Sequence, residues 1–384
     1  MLNLITDFEH GLKKGKKANL DERSYLSIVS FYEDENQLGK ALEVLGRAIT
    51  QYQYNSDFLK EKSRLLLKLR RFEEAHVALN RAEILAPFKV DILLLRASIL
   101  ALQNKFDYAY DIIDDVKSYA KKDEKVAVLI TEALVAEMAA DYELMFQVLK
   151  RALILSPQNE EALLLMRSAI NQTKHYEESI LIHRFIIENH PYTALAWYNL
   201  GQSFASLPKP EYEAAIDALE YAFLVDEEFE DAYYDCAEFC MDENEYLRAE
   251  IILAEAIAKF EINYDALYNI SICRYELGKI EEAKRSLFEA MQLEPYCEEL
   301  YFLLAKCYIK DQDWVGAIKT LESAIDLEDQ IDEYYYYLAK MYERIDKMAK
   351  ANTFYRKAAF VGEEQSFYWE EYIMFLLRRG NLNV

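Results

Sequence analysis

The sequence predicts an all-α protein, a stack of antiparallel helix pairs running through almost all of its 384 residues. Three observations carry that prediction. One helix-pair pattern recurs ten times at intervals of 34 or 36 residues, and small residues return at two fixed places in each copy. Glycine and proline, at nine and six, are too scarce to furnish many long loops. In such a stack each copy contacts only its neighbours, so length sets no domain count and one elongated domain is expected.

Residues 1–21 precede the first copy, and Leu4, Ile5, Phe8 and Leu12 form a short amphipathic segment expected to cap it. Asp7 interrupts the apolar stretch and the positive charges follow it, the reverse of a secretory leader. The copies themselves start at Glu22, Ser56, Val90, Val126, Glu160, Ala194, Glu230, Tyr264, Glu298 and Asp332, and end at residue 365. Position twenty reads Ala41, Ala75, Ala109, Met145, Ser179, Ala215, Ala249, Ala283, Ala317 and Ala351. Position twenty-seven is alanine in all but two copies, where Val116 and Ile186 replace it. Small side chains there let helices approach closely, larger apolar residues at positions four, seven, eleven and twenty-four fill the space between, and Ala283, Leu287, Ala290 and Leu293 show the 3.6-residue period. Pro87, Pro157, Pro191 and Pro295 stop the second helix of their copies, because proline has no N–H to continue it. The longer intervals add residues near 118–124 and in a loop with Pro208 and Pro210. Met145 and Ser179 replace alanine and Arg167 takes the small eighth position, so a weaker seam or a bend is expected in the third to fifth copies. Residues 366–384 hold an unpaired helix with Trp369, expected to cap the other end, and a tail.

Trp197, Leu200, Gly201 and Phe204 form a W-x-x-L-G-x-x-Y signature with Phe in the last place, and Ala215, Leu219 and Ala222 supply the matching second helix. On these residues the chain resembles the tetratricopeptide repeat (TPR) family. The resemblance implies a right-handed superhelical α-solenoid of antiparallel helix pairs. Its groove would be lined mainly by the first helix of each pair, helix A, from positions two, five, six, nine, twelve and thirteen. Position five reads Leu26, Lys60, Leu94, Ile130 and Leu164, then Tyr198, Tyr234, Tyr268, Phe302 and Tyr336, a continuous aromatic row in the second half. Aromatic side chains offer large contact area at little entropy cost and are enriched among interface anchors. At position six, Asn199, Asp235 and Asn269 resemble an interrupted form of the asparagine ladder by which some members of the family hold a peptide backbone. An amide both donates and accepts, whereas Asp235 only accepts. Lys60 and Arg64 fall on the groove of the second repeat, but Leu26, Ser30, Leu94 and Ser98 around them leave the family's carboxylate clamp incomplete.

The net charge of −24 is uneven, with 39 acidic and 18 basic residues from Pro191 onward and 29 against 26 before it. Between Asp226 and Tyr246 there are ten acidic residues and no basic one. Asp231, Asp235 and Glu238 fall on groove positions two, six and nine beside Tyr234, a surface suited to a basic segment of a partner. Solubility accounts for such acidity equally well. The same field repels nucleic acid, and a helical repeat that reads RNA needs a basic inner face.

No H-E-x-x-H, no Cys-His metal spacing and no glycine-rich phosphate loop occurs, so no catalytic residue, metal or cofactor is expected. His183 occupies a core position, and Cys236 and Cys240 fill the Leu and Tyr places of the signature in the seventh repeat, where they serve as apolar filler. Five cysteines, odd in number and all after residue 235, make no disulfide framework and point to a reducing, cytoplasmic setting. No stretch approaches the roughly eighteen apolar residues of a membrane span, so no membrane insertion is expected. The sequence therefore reads as a non-catalytic protein-protein interaction scaffold or adaptor. It would hold a protein or peptide partner, basic in character, in the groove of repeats six to eight through Tyr198, Asn199, Asp231, Tyr234, Asp235, Glu238, Tyr268 and Asn269. A self-assembling structural protein, or a regulatory subunit positioning an enzyme on another chain, fits the same pattern, and the oligomeric state is not encoded in it.

Overall fold

Each repeat folds as two antiparallel helices closed by a tight turn in the computed structural model, which describes residues 20–362 and 365–378. The segment holding Leu4, Ile5, Phe8 and Leu12 lies outside the described residues. Among those described there are helices and turns and no strand.

The chain forms two compact units, Met1–His190 and Pro191–Val384. The division falls at the end of the fifth repeat, and the extra residues near 118–124 lie inside the first unit. In that unit the pairs are α1 (Glu22–Asp34) with α2 (Leu38–Gln51), α3 (Ser56–Lys68) with α4 (Phe72–Leu85), and α5 (Val90–Leu102) with α6 (Phe106–Tyr119). α7 (Lys125–Met138) with α8 (Tyr142–Leu155), and α9 (Glu160–Thr173) with α10 (Tyr176–Asn189), complete it. α7 begins one residue before Val126, because the turn ahead of it already closes on Lys121, whose carbonyl accepts from Glu124 and Lys125. The second unit pairs α11 (Ala194–Ala205) with α12 (Tyr212–Val225), α13 (Glu230–Asp242) with α14 (Tyr246–Lys259), and α15 (Tyr264–Glu276) with α16 (Ile280–Leu293). α17 (Glu298–Lys310) with α18 (Trp314–Leu327), and α19 (Asp332–Arg344) with α20 (Met348–Val361), follow, and α21 (Ser366–Arg378) stands alone.

Local chemistry sets these boundaries. Asp21, Asn55, Asn159 and Asn263 each accept a backbone N–H of the following A helix, satisfying donors that the first turn leaves open. In nine of the ten repeats a residue with positive φ separates helix A from helix B, and only Gly278 is a glycine. The amide after it donates to the carbonyl five residues back in most of these turns, as Gln37 does to Tyr32 at 2.7 Å and Lys279 to Arg274 at 2.8 Å. The sixth repeat departs from this rule. Its proline-bearing loop is closed instead by the Glu211 amide on the Phe204 carbonyl.

The alanines at position twenty, with Met145 and Ser179, are all fully buried, as are Ala48, Ala82, Ala152, Ala222, Ala256, Ala290 and Ala324. Gly201 shows how close the helices come, since a Cβ there would lie 2.9 Å from Leu219 Cγ and 3.0 Å from the Ala215 carbonyl oxygen. In α21, Tyr368 and Phe375 are buried, with Phe375 against Tyr355 at 4.8 Å between ring centroids. Trp369, Tyr372 and Leu376 are only half-buried. Those three stand where a helix B of the same repeat would pack, and none follows α21 among the described residues.

The signature leucine position separates the two units. In the second it reads Leu200, Cys236, Ile270, Leu304 and Leu338, all buried. In the first it reads Ile28, Lys62, Arg96, Glu132 and Met166, with three charges in succession. Arg96 is buried and donates to Glu83, to Asn80 and to His76 Nδ1. Buried Glu132 accepts from Lys117 at 2.7 Å and lies 3.6 Å from Arg151. Charges removed from water persist only with such partners.

Candidate partner-binding face

Positions five, six and nine of successive A helices come together in the second unit, because each repeat stacks on the next in the same register. The Tyr198 hydroxyl donates to Asp235 Oδ2 at 2.5 Å, and Gln202 Nε2 donates to the same oxygen at 2.5 Å. Position five of one repeat thus meets position six of the next. The same relation returns further along, where the Phe302 and Tyr337 rings pack edge to face at 5.4 Å.

The expected contact residues divide by accessibility. Tyr198 and Asn199 are buried, at 0% and 2% exposure. Phe229, in the connection ahead of α13, lies across Tyr198 at 4.8 Å between rings, so this tyrosine supports Asp235 rather than presenting surface. Asp231 and Glu238 are exposed, and Tyr234, Asp235, Tyr268 and Asn269 are half-buried. Phe302 and Tyr336 are buried, so the aromatic row offers surface chiefly at Tyr234 and Tyr268. Burial pushes the Tyr234 phenol up and the Glu230 charge adds to this, while the Asn263 side chain pulls against it. Burial also raises the Tyr268 phenol, helped by Glu299. Both phenols therefore stay neutral donors at physiological pH.

The electrostatics are lopsided. Partial burial, then Asp235, then Asp242 push the Glu238 carboxyl above the usual range, and among the described residues no cation pairs with it. Cations in the first unit are placed differently. Arg64 forks onto Glu33 at 2.6 Å, Lys68 reaches the same carboxylate at 2.5 Å, and Lys60 reaches Asp91 at 2.7 Å. Lys60 and Arg64 are thus held by carboxylates of the chain itself.

Gln202, Phe229 and the lysines at position nine of the last two repeats were not singled out from the sequence. Position nine could have been read by the same register as position five. Among the described residues no group of His, Cys, Asp and Glu could hold a metal ion, and no helix is long and apolar enough to cross a membrane. The thiols of Cys236, Cys240, Cys273 and Cys307 are buried.

Known proteins are similar to this chain in part. Residues 60–117 and 274–341 match tetratricopeptide repeat family profiles. The TPR repeat-containing protein YpiA of Bacillus subtilis (strain 168) is 22% identical over 374 residues, spanning 96% of this chain and 86% of that protein. Among solved structures, YrrB, a TPR protein with an unusual peptide-binding site, is 18% identical over 52% of this chain and 98% of its own, with a TM-score of 0.42. The APC/C hetero-tetramer Cut9-Hcn1 is 14% identical over 94% of this chain and 84% of its own, with a TM-score of 0.41. With two stretches matching the family profiles and helix pairs recurring throughout the described residues, the chain is a tetratricopeptide repeat protein.

Proposed function

We propose that this protein is a non-catalytic scaffold that holds a basic segment of a partner protein along the A helices of repeats six to eight. The observation that supports it best is the concentrated acidity of an accessible face. Ten carboxylates and no cation occur between Asp226 and Tyr246, and Glu238 stands exposed beside Asp235, its carboxyl held above the usual range by partial burial and by that neighbour. A folded protein that gains nothing from such crowding gains when a cation arrives, because the cation relieves the repulsion. Tyr234 and Tyr268 flank the acids with half-buried rings, on which an arginine can stack while it pairs with a carboxylate. Asp235 is pre-set by Tyr198 and Gln202, so less order is lost on binding. Four thiols buried in the helix-pair core support a reducing compartment such as the cytoplasm.

The test uses the partner once isolated. Asp231→Asn with Glu238→Gln should slow association and flatten its dependence on salt between low and physiological ionic strength, where exposed charges are screened over about 10 Å. Tyr234→Ala should mainly speed dissociation. Equal binding by all variants together with no salt dependence would overturn the reading.

A further inference from the structure

The rim at position nine changes sign along the second unit. It reads Gln202, Glu238 and Ile272, then Lys306 and Lys340. Each lysine rides on the position-five ring of its own helix, with Lys306 Nζ 4.3 Å from the Phe302 centroid and Lys340 Nζ 5.0 Å from that of Tyr336. Six cations in the described part of this unit are half-buried. Four of them are held by carboxylates: Arg248 by Glu220, Arg274 and Lys279 by Glu250, and Lys284 by Asp311. Lys306 and Lys340 are the two with no ion pair among the described residues, in a unit where acids outnumber bases 39 to 18. The helix dipole accounts for a cation in the last turn, where Lys310 and Arg344 stand, and does not reach position nine. Both ammonium groups are half-buried and oriented by a ring, Lys340 also donating to the Tyr336 hydroxyl at 3.4 Å, and neither meets a counter-charge among the described residues.

We infer that Lys306 and Lys340 form a cationic pole that receives carboxylate from the same protein segment whose basic residues meet Asp231 and Glu238. The face then reads a dipolar segment, basic over the seventh repeat and acidic over the ninth and tenth. Opposite poles admit the segment in one direction and repel it in the other, so charge order fixes which way round it lies. This rests on the groove reading above, and adds to it a second site and a direction.

The test is a fluorescence-anisotropy titration of the full chain at low salt with synthetic peptide probes. One probe series carries an arginine pair and a glutamate pair joined by Gly-Ser spacers of graded length, and a matched series has glutamine in place of glutamate. At the spacer length that spans the poles, the glutamate probe should bind about tenfold more tightly than its glutamine twin, the gain expected of charge-assisted hydrogen bonds. Lys306→Gln with Lys340→Gln should erase that advantage and leave the glutamine probe unchanged. A C-terminally amidated copy separates the two sources of carboxylate: an advantage kept after amidation comes from side chains, and one lost comes from the chain terminus. Arginine-dependent binding with no glutamate advantage at any spacer length overturns the cationic pole alone. If no arginine probe binds, or if Asp231→Asn with Glu238→Gln leaves binding unchanged, the groove reading falls with it.

Discussion

The two units place their charges in opposite ways on one scaffold. The first buries Arg96 and Glu132 at the signature position and ties its face cations, Lys60, Arg64 and Lys68, to carboxylates of neighbouring helices. The second keeps the signature position apolar and leaves Glu238, Lys306 and Lys340 on its A helices with no ion pair among the described residues. A charge satisfied from within contributes to structure, and one left without a counter-charge favours an outside ligand. All five histidines fall in the first unit and all five cysteines in the second, so the units also differ in which conditions disturb them.

The most severe way to break the comparison is to exchange the signature position. Leu304→Arg should cost roughly 4 kcal/mol or more and unfold its surroundings, because a buried guanidinium has no acceptor waiting there. Arg96→Leu should cost less, about 1 to 2 kcal/mol, because the Glu83 carboxylate it leaves behind is 36% exposed and can return to water. Denaturant midpoints of the two variants decide it, and equal losses would mean that the buried charges of the first unit are not self-satisfied. Next in size, a chain ending before Ser366 exposes what Tyr368 and Phe375 cover and should lose roughly 3 to 5 kcal/mol, read as a lower melting temperature or aggregation. An unchanged melting profile would deny α21 its capping role.

The repeat register and the small residues between helices were legible in the sequence, because close helix approach leaves alanine little competition. The fate of Tyr198 was not. Position five says which way a side chain points, but Phe229 and Asp235, which bury this one, come from the following repeat. The run of Lys62, Arg96 and Glu132 at the signature place was equally visible, yet the partners that make it tolerable arrive from helix B, as His76 and Glu83 do for Arg96. Satisfaction of a buried charge is a three-dimensional property, and the string shows only half of each pair.

Acid separates the units by a smaller margin. His183 is fully buried with Nδ1 donating to the Ser179 carbonyl at 2.8 Å, and burial depresses its pKa from 6.5 to about 4. The folded form therefore refuses a proton that the unfolded chain accepts. Stability is complete above pH 6.5 and falls as the pH drops to about 4, by about 3 kcal/mol in all. Melting followed across that window should show the loss in the wild type and a flatter course in His183→Leu, and identical slopes would remove His183 as the cause. Smaller still is the contrast between paired and unpaired face charges. Arg64 and Lys68 hold the Glu33 carboxyl down at about 2, so its contribution is present above the ordinary 4.5 and lost as pH falls through 2. Allowing for solvent screening, Glu33→Gln should cost about 1 kcal/mol at neutral pH, and Lys306→Gln less than about 0.5. A Lys306 variant that loses as much as the Glu33 variant would mean that this lysine is structural after all.

Site-specific photocrosslinking distinguishes an A-helix face that binds from one that only folds. A benzophenone amino acid is placed at Tyr268 in the second unit and, separately, at the equivalent position five of the first, Leu164, which is itself 54% exposed. The Tyr268 probe should trap one defined partner segment carrying basic residues, at a yield that falls with added salt, while the more accessible Leu164 probe should trap none. Equal capture from both positions, or capture from Leu164 alone, would contradict that division of the faces.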